Sequence, residues 1–151
     1  MKNNYQIVPV SEDNYPLFDD MLFWREHGHE RPAGQGTVTE TVRKELENSN
    51  LRLFAAASDG RYVGWISLVY IPKVSKWRGR GHVYVDELWV APQYRRQGVA
   101  AALMEKADEL RSQFNAVGIR LYVNVENPGA RRLYESCGFR EDGQAHFMEK
   151  Y

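Results

Sequence analysis

Apolar residues follow two different periods along this chain, and the change from one to the other falls between Val83 and Met104. From Val83 to Val90 β-branched and aromatic residues are dense, which predicts a strand. Pro92 ends it, because proline has no N–H for a sheet ladder. From about Gln97 the spacing becomes helical: Val99, Leu103, Ala107 and Leu110 form one stripe, with Ala100 and Met104 beside it. The pattern predicts a strand, a tight basic turn and a helix opening at Arg95-Arg96-Gln97-Gly98-Val99-Ala100.

The rest of the chain reads as elements around that unit. Tyr5–Val10 alternates as a first strand. Ser11, Asp13 and Asn14 are capping candidates for a helix carrying Leu17, Phe18, Met21, Leu22 and Trp24. Periodicity stops between Arg25 and Gly36. Thr37-x-x-Glu40 has the form of a capping box, and Val38, Val42 and Leu46 make the inward stripe of a second helix. Leu51–Ser58 and Tyr62–Ile71 predict two strands joined at Asp59-Gly60, a strong hairpin signal. Lys73–Gly81 is a basic loop. Gly118–Val125 reads as a strand, and Asn127-Pro128 opens a short helix, with Asn as cap and Pro in its first turn. Ala130, Leu133, Tyr134 and Cys137 share one side of it, Gly138 closes it, and Phe139–Tyr151 is a last extended segment. The predicted order is β-α-α-β-β-β-α-β-α-β, an α/β chain with one mixed sheet.

The basic turn has a chemistry available to it. The first N–H groups of a helix lack partners inside the helix and sit at the positive end of its dipole. Gly98 and Ala100 keep the turn free of bulk, and Arg95 and Arg96 add charge, which suits a pyrophosphate. No Gly-Lys-Ser/Thr follows and no G-x-G-x-x-G spacing occurs, so neither a P-loop nor a Rossmann fingerprint is present. The plain alternative is an ordinary surface turn.

Arg95-x-x-Gly98-x-Ala100, following a Leu88-x-Val90 strand end, resembles the acetyl-CoA signature of the GNAT superfamily, the Gcn5-related N-acetyltransferases. Asn127-x-x-Ala130-x-x-Leu133-Tyr134-x-x-x-Gly138-Phe139 is similar to the family's second conserved segment, and the element order resembles the GNAT fold over essentially the whole chain. The resemblance implies a direct, metal-free transfer of the acetyl group of acetyl-CoA to a primary amine of a small molecule or protein. It implies cofactor contacts at Leu88, Trp89, Val90, Arg95, Arg96, Gln97, Gly98, Val99, Ala100, Asn127 and Tyr134. Leu88–Val90 would pair with pantetheine where the flanking strands part. Tyr134 would protonate the leaving thiolate. A carboxylate would take the amine's proton, Asp86 first and Glu87 second, since alternation sends the two to opposite faces unless a bulge intervenes. The bland readings are a core tyrosine, a surface carboxylate and, for Asn127, a helix cap.

Composition narrows the field without redirecting it. With 151 residues, one domain spanning 1–151 is expected. Lys plus Arg and Asp plus Glu both number 20, so no global field favours nucleic acid or an anionic membrane. The hydrophobic fraction of 43% argues against disorder. No apolar run has membrane-spanning length, and Met1-Lys2-Asn3-Asn4 leads into a strand rather than an apolar leader, so a cytoplasmic protein is expected. A single cysteine, Cys137, excludes an intramolecular disulfide and offers no metal spacing.

His27-x-His29-Glu30 lacks the further ligands a metal needs. In GNAT proteins the matching loop walls the acceptor site, and its acidic groups and histidines would suit a cationic amine. Lys73, Lys76, Arg78 and Arg80 with Trp77 form a solvated loop or the rim of an acceptor pocket rather than a nucleic-acid patch. The resemblance leaves a homodimer open. Two competing readings are a CoA-binding regulatory module without chemistry and a nucleic-acid-binding protein. The acceptor itself is not written in these motifs.

Overall fold

The structure, a computed structural model, describes residues 4–151; Met1–Asn3, where a leader would begin, lie outside the described residues. Among the described residues five strands form one sheet in the order β1-β2-β3-β4-β5: β1 Gln6–Pro9, β2 Leu51–Ser58, β3 Arg61–Ile71, β4 His82–Val90 and β5 Gly118–Arg120. The first four pair antiparallel, and β5 runs parallel to β4. The helices are α1 Tyr15–His27, α2 Glu40–Leu46, α3 Val99–Gln113 and α4 Pro128–Ser136.

Strand alternation divides the core. Ala56, Val63, Ile66, Val83 and Val85 meet the α3 stripe of Val99, Leu103, Met104, Ala107 and Leu110. Ala55, Tyr62 and Trp65 on the other side meet Phe18 and Met21 of α1. The predicted stripe is therefore the buried one, and Leu103 is fully enclosed. Truncating such a leucine to alanine costs about 2–5 kcal/mol.

Local chemistry sets the ends of these elements. Asp59 and Gly60 both take positive φ, as a tight turn between twisted strands requires. Asn14 stands at the N-cap position of α1, but its side chain braces the preceding turn instead of the helix: Oδ1 accepts from the Ser11 N–H at 2.7 Å, and Nδ2 donates to the Pro9 carbonyl at 2.8 Å. At the end of α4 the Gly138 N–H donates to the Glu135 carbonyl and the Phe139 N–H to the Tyr134 carbonyl, the paired bonds of a Schellman closure.

Five expectations are corrected. The cap of α2 is Thr39, whose Oγ1 accepts from the Val42 N–H at 3.2 Å, because the Thr37 N–H is taken by Asp19. Its stripe of Val38, Val42 and Leu46 is half-buried rather than buried. Helix α3 begins one residue after Gly98, so Arg95–Gln97 belong to the turn and not to the helix. Strand β5 stops at Arg120 instead of Val125, and Phe139–Tyr151 joins no ladder. With so short a β5, the tail has no adjacent paired edge to extend, and Phe147, Met148 and Tyr151 stand exposed.

Candidate active site

Strand β4 positions most of the site. Its first part pairs with β5 over three residue pairs, His82 with Gly118, Val83 with Ile119 and Tyr84 with Arg120. Beyond Tyr84 the two strands part, while β4 continues on its other edge against β3 as far as Val90. Leu88, Trp89 and Val90 thus have a strand on one side only.

The β3–β4 register shifts inside the parting region. Val85 lies opposite Leu68 and Glu87 opposite Ser67, which leaves Asp86 as an extra residue without a partner. This is a β-bulge, the condition under which the alternation argument fails. Its effect shows in the packing: Val85 belongs to the α3 side, yet Val90 does too, while Trp89 turns to Trp65 at 5.3 Å and Trp24 at 5.9 Å. Asp86 and Glu87 are both exposed. Asp86 also acts on its strand neighbour Tyr84, whose phenol is pushed up by burial first, then by the Asp86 charge and by Tyr122.

The turn after β4 is a 3-10 turn, Pro92–Tyr94, stiffened by the Gln97 amide donating to the Gln93 carbonyl at 2.9 Å. Arg95 folds back, its Nε donating to the Val90 carbonyl at 2.9 Å, so it ties the turn to the end of β4. Arg96 and Gly98 take positive φ, +59° and +83°. Gly98 is the N-cap of α3, and no side chain among the described residues caps that helix. A Cβ at Gly98 would stand 3.5 Å from the Tyr5 hydroxyl, so conformation rather than space restricts this position. Val99 is buried, which leaves its main chain and not its side chain for any ligand. The first N–H groups of α3 thus point out of an uncapped terminus beside the parting strands, a fitting seat for a pyrophosphate.

Helix α4 supplies the remaining groups. Asn127 Oδ1 accepts from the Ala130 N–H at 3.1 Å, so its side chain is occupied as a cap. Tyr134 is half-buried, its ring edge-on to Phe139 at 6.2 Å, and it packs on the same core cluster as Leu88, Trp89 and Ala100. Burial, and then the neighbouring Cys137, raises its phenol above the ordinary range. A phenol held protonated is suited to give a proton, not to take one. Arg131 is paired with Glu135 and Glu141, both at 2.9 Å.

The histidine loop is organised by other contacts. His27, expected in the loop, instead ends α1 and stacks on Phe23 at 4.0 Å, while Nδ1 of His29 in the loop lies 3.0 Å from the Glu30 carbonyl. Asp20, almost buried, accepts from Arg31 Nε at 2.8 Å and the Gly34 N–H at 3.0 Å. In the basic loop, Arg80 donates to the carbonyls of Asn115 and Ala116 and is structural.

One group escaped sequence reasoning. A cavity of about 180 Å³ lies over the paired part of β4 and β5, lined by Ile71, Lys73, His82, Tyr84, Arg120 and Tyr122. Only Lys73 stood out beforehand, as a rim candidate. The available signal was a histidine and a tyrosine two apart on a strand, whose meaning depends on which strand lies alongside.

An uncapped helix terminus beside two parting parallel strands, with carboxylates on one strand and a half-buried phenol on the helix that follows the other, fits an acyl-CoA-dependent acyltransferase. Residues 16–139 match the model of the Acetyltransferase (GNAT) family, and the chain belongs to that family. It is 26% identical to a thialysine N-epsilon-acetyltransferase of Caenorhabditis elegans, over 90% of this chain and 83% of that protein. It is 28% identical to a spermidine N(1)-acetyltransferase of Vibrio cholerae, over 100% of this chain and 75% of that protein. The crystal structure of an aminoglycoside acetyltransferase from an uncultured soil metagenomic sample shares the fold, with a TM-score of 0.82 and 18% identity, over 99% of this chain and 98% of that one. The protein is an acetyl-transferring enzyme, an N-acetyltransferase. No helix of the described residues is long and apolar enough to cross a membrane.

Proposed function

We propose that this enzyme transfers the acetyl group of acetyl-CoA directly to a primary amine. The observation that carries this reading is the bulge, which exposes Asp86 and Glu87 where β5 has left β4 and beside the uncapped start of α3. Pyrophosphate rests on the main-chain N–H groups opening α3, with Arg96 and Gln97 alongside and Arg95 bracing the turn. The pantetheine arm pairs with the free edge of Leu88–Val90. Asn127 acts by fixing the start of α4, and through it Tyr134.

An alkylammonium has a pKa near ~10.4, so a base must take its proton before the nitrogen can attack. Asp86 does so, directly or through water, with Glu87 second. The amine lone pair forms a bond to the thioester carbonyl carbon, and the oxyanion is held by main-chain N–H groups at the end of β4. The tetrahedral adduct collapses, the C–S bond breaks with its electrons on sulfur, and Tyr134 protonates the thiolate. No metal and no acyl-enzyme takes part.

The relatives named above act on thialysine and spermidine, both of which carry primary amines, and this supports an amine acceptor. The co-substrate suits a cytoplasmic location. A homodimer belongs to the proposal, since a second copy would cover the exposed Phe147, Met148 and Tyr151 and the edge beyond Arg120. An acceptor screen that follows free thiol release from acetyl-CoA tests the reading; turnover of no amine by a folded, CoA-binding enzyme would overturn it.

A further inference from the structure

The cavity over the paired part of β4 and β5 brings two basic side chains together with no carboxylate at ion-pair distance among the described residues, whereas Arg31, Arg43, Arg61, Lys106 and Arg131 each meet one. Lys73 and Arg120, which line the cavity, meet none among the described residues. Lys76 stands just outside, over the Trp77 ring at 4.6 Å, and Arg120 approaches the same ring at 5.7 Å. Trp77 sets its edge against His82 at 4.7 Å.

His82 is the second, independent observation. It is 6% exposed, it lines the cavity, and its Nδ1 is a buried polar atom with no hydrogen-bond partner among the described residues. An orphaned buried nitrogen carries a desolvation penalty that a ligand's polar group would relieve. The three surrounding cations, together with burial, which acts most strongly, hold this imidazole neutral. The loop carrying Lys73 and Lys76 is also held in a costly form, with Ser75, Trp77 and Arg78 at positive φ.

The cavity and the reaction centre share one side of β4. His82 and Tyr84 lie on one face of the strand, at about 3.3 Å per residue, and the charge of Asp86 in the bulge reaches the Tyr84 phenol. Tyr84 is thus roughly 7 Å and His82 roughly 13 Å along the strand from the proposed base.

We propose that this cavity holds the carboxylate of the acceptor, which is an amine and a carboxylate joined by a linear chain rather than a polyamine. Lys73 and Arg120 attract the anion, Tyr84 and Tyr122 can donate their hydroxyls to it, and His82 Nδ1 gains the partner it lacks. The spacing along β4 asks for about four or more carbons between the two groups, so that the amine reaches Asp86. A second ammonium in place of the carboxylate would meet like charge. The inference rests on the amine-acetylating reading given above and adds the acceptor's class to it.

The test compares 6-aminohexanoate with cadaverine, similar in length and opposite in the charge of the far end. The full-length enzyme should turn over aminohexanoate with kcat/KM at least tenfold above that for cadaverine. Arg120→Met, at an exposed position, should lower that ratio at least tenfold, and Lys73→Met should lower it in the same direction. A preference for cadaverine, or a ratio unmoved in both variants, would overturn the proposal. Calorimetry with CoA present gives a readout without turnover. If neither amine is acetylated yet aminohexanoate binds and Arg120→Met weakens that binding at least tenfold, the carboxylate site stands and what fails is the placing of Asp86 as the base beside it. If aminohexanoate does not bind, the carboxylate site fails, whatever other amine is acetylated.

Discussion

The chain contains two strand–turn–helix units side by side, β4 into α3 and β5 into α4, and they solve the same local problem in opposite ways. Every helix leaves its first N–H groups without partners. In the second unit Asn127 answers with its own side chain. In the first, Gly98 stands at the cap position and no side chain among the described residues answers. The first strand runs nine residues and carries a bulge, whereas the second pairs for three and stops. One unit is closed upon itself and presents a phenol; the other is left open and presents carboxylates and bare amides. The two strands pair at one end and part at the other, so both units leave the sheet from the same parting point.

The division of labour can be broken most sharply at the bulge. Asp86→Asn removes a proton acceptor with almost no change of volume and should lower kcat/KM about 10²-fold near neutral pH, with partial recovery at high pH where free amine is abundant. Because the bulge exposes both carboxylates, Glu87→Gln should cost about tenfold rather than nothing. Steady-state kinetics across pH decide this, and full activity in both variants would remove the base from β4.

In the second unit, Tyr134→Phe should lower kcat by ~10²-fold or somewhat less while acetyl-CoA binding holds. The wild-type phenol lies above the ordinary range and is an acid only while protonated. The loss of kcat assigned to it on the alkaline side should therefore lie at higher pH than an ordinary tyrosine would give, and that limb should vanish in the variant. Wild-type kcat with chemistry rate-limiting would make Tyr134 a packing residue.

The open terminus should respond to charge more than to shape. Gly98→Glu should weaken acetyl-CoA binding at least tenfold, roughly 1.4 kcal/mol. Gly98→Asn, which tolerates the same backbone region, should bind more nearly like wild type. Calorimetry with CoA compares the two, and equal affinities in both folded variants would remove phosphate from this turn.

The smallest effect belongs to the closed terminus. Asn127→Ala should destabilise the fold by about 1 kcal/mol, as loss of a cap does, and weaken CoA binding less than Gly98→Glu does. Thermal unfolding and calorimetry on one preparation separate the two. A larger loss of affinity than of stability would make Asn127 a direct contact.

Much of this arrangement was written in local sequence. The α3 stripe, the Asp59-Gly60 hairpin, the Asn127 cap and the Gly138 closure each depend on residues within a turn or two of one another, and all appear as read. What stayed hidden depends on partners far along the chain. The bulge exists only in the register of β4 against β3. Thr37 fits the capping pattern, yet its N–H is claimed by Asp19, so the helix starts two residues later. The cavity around His82 needs β3, β4, β5 and their loops at once.

The two adjacent carboxylates of α1 have a further consequence. Asp19 and Asp20 between them hold Arg31 and the amides of Gly34 and Thr37, pinning a stretch rich in glycine and proline to a helix already fixed in the core. Ordering a backbone residue costs roughly 1–2 kcal/mol, and here that expense is met during folding. A loop tied down at three points in this way has little conformational freedom left to lose when anything binds beside it.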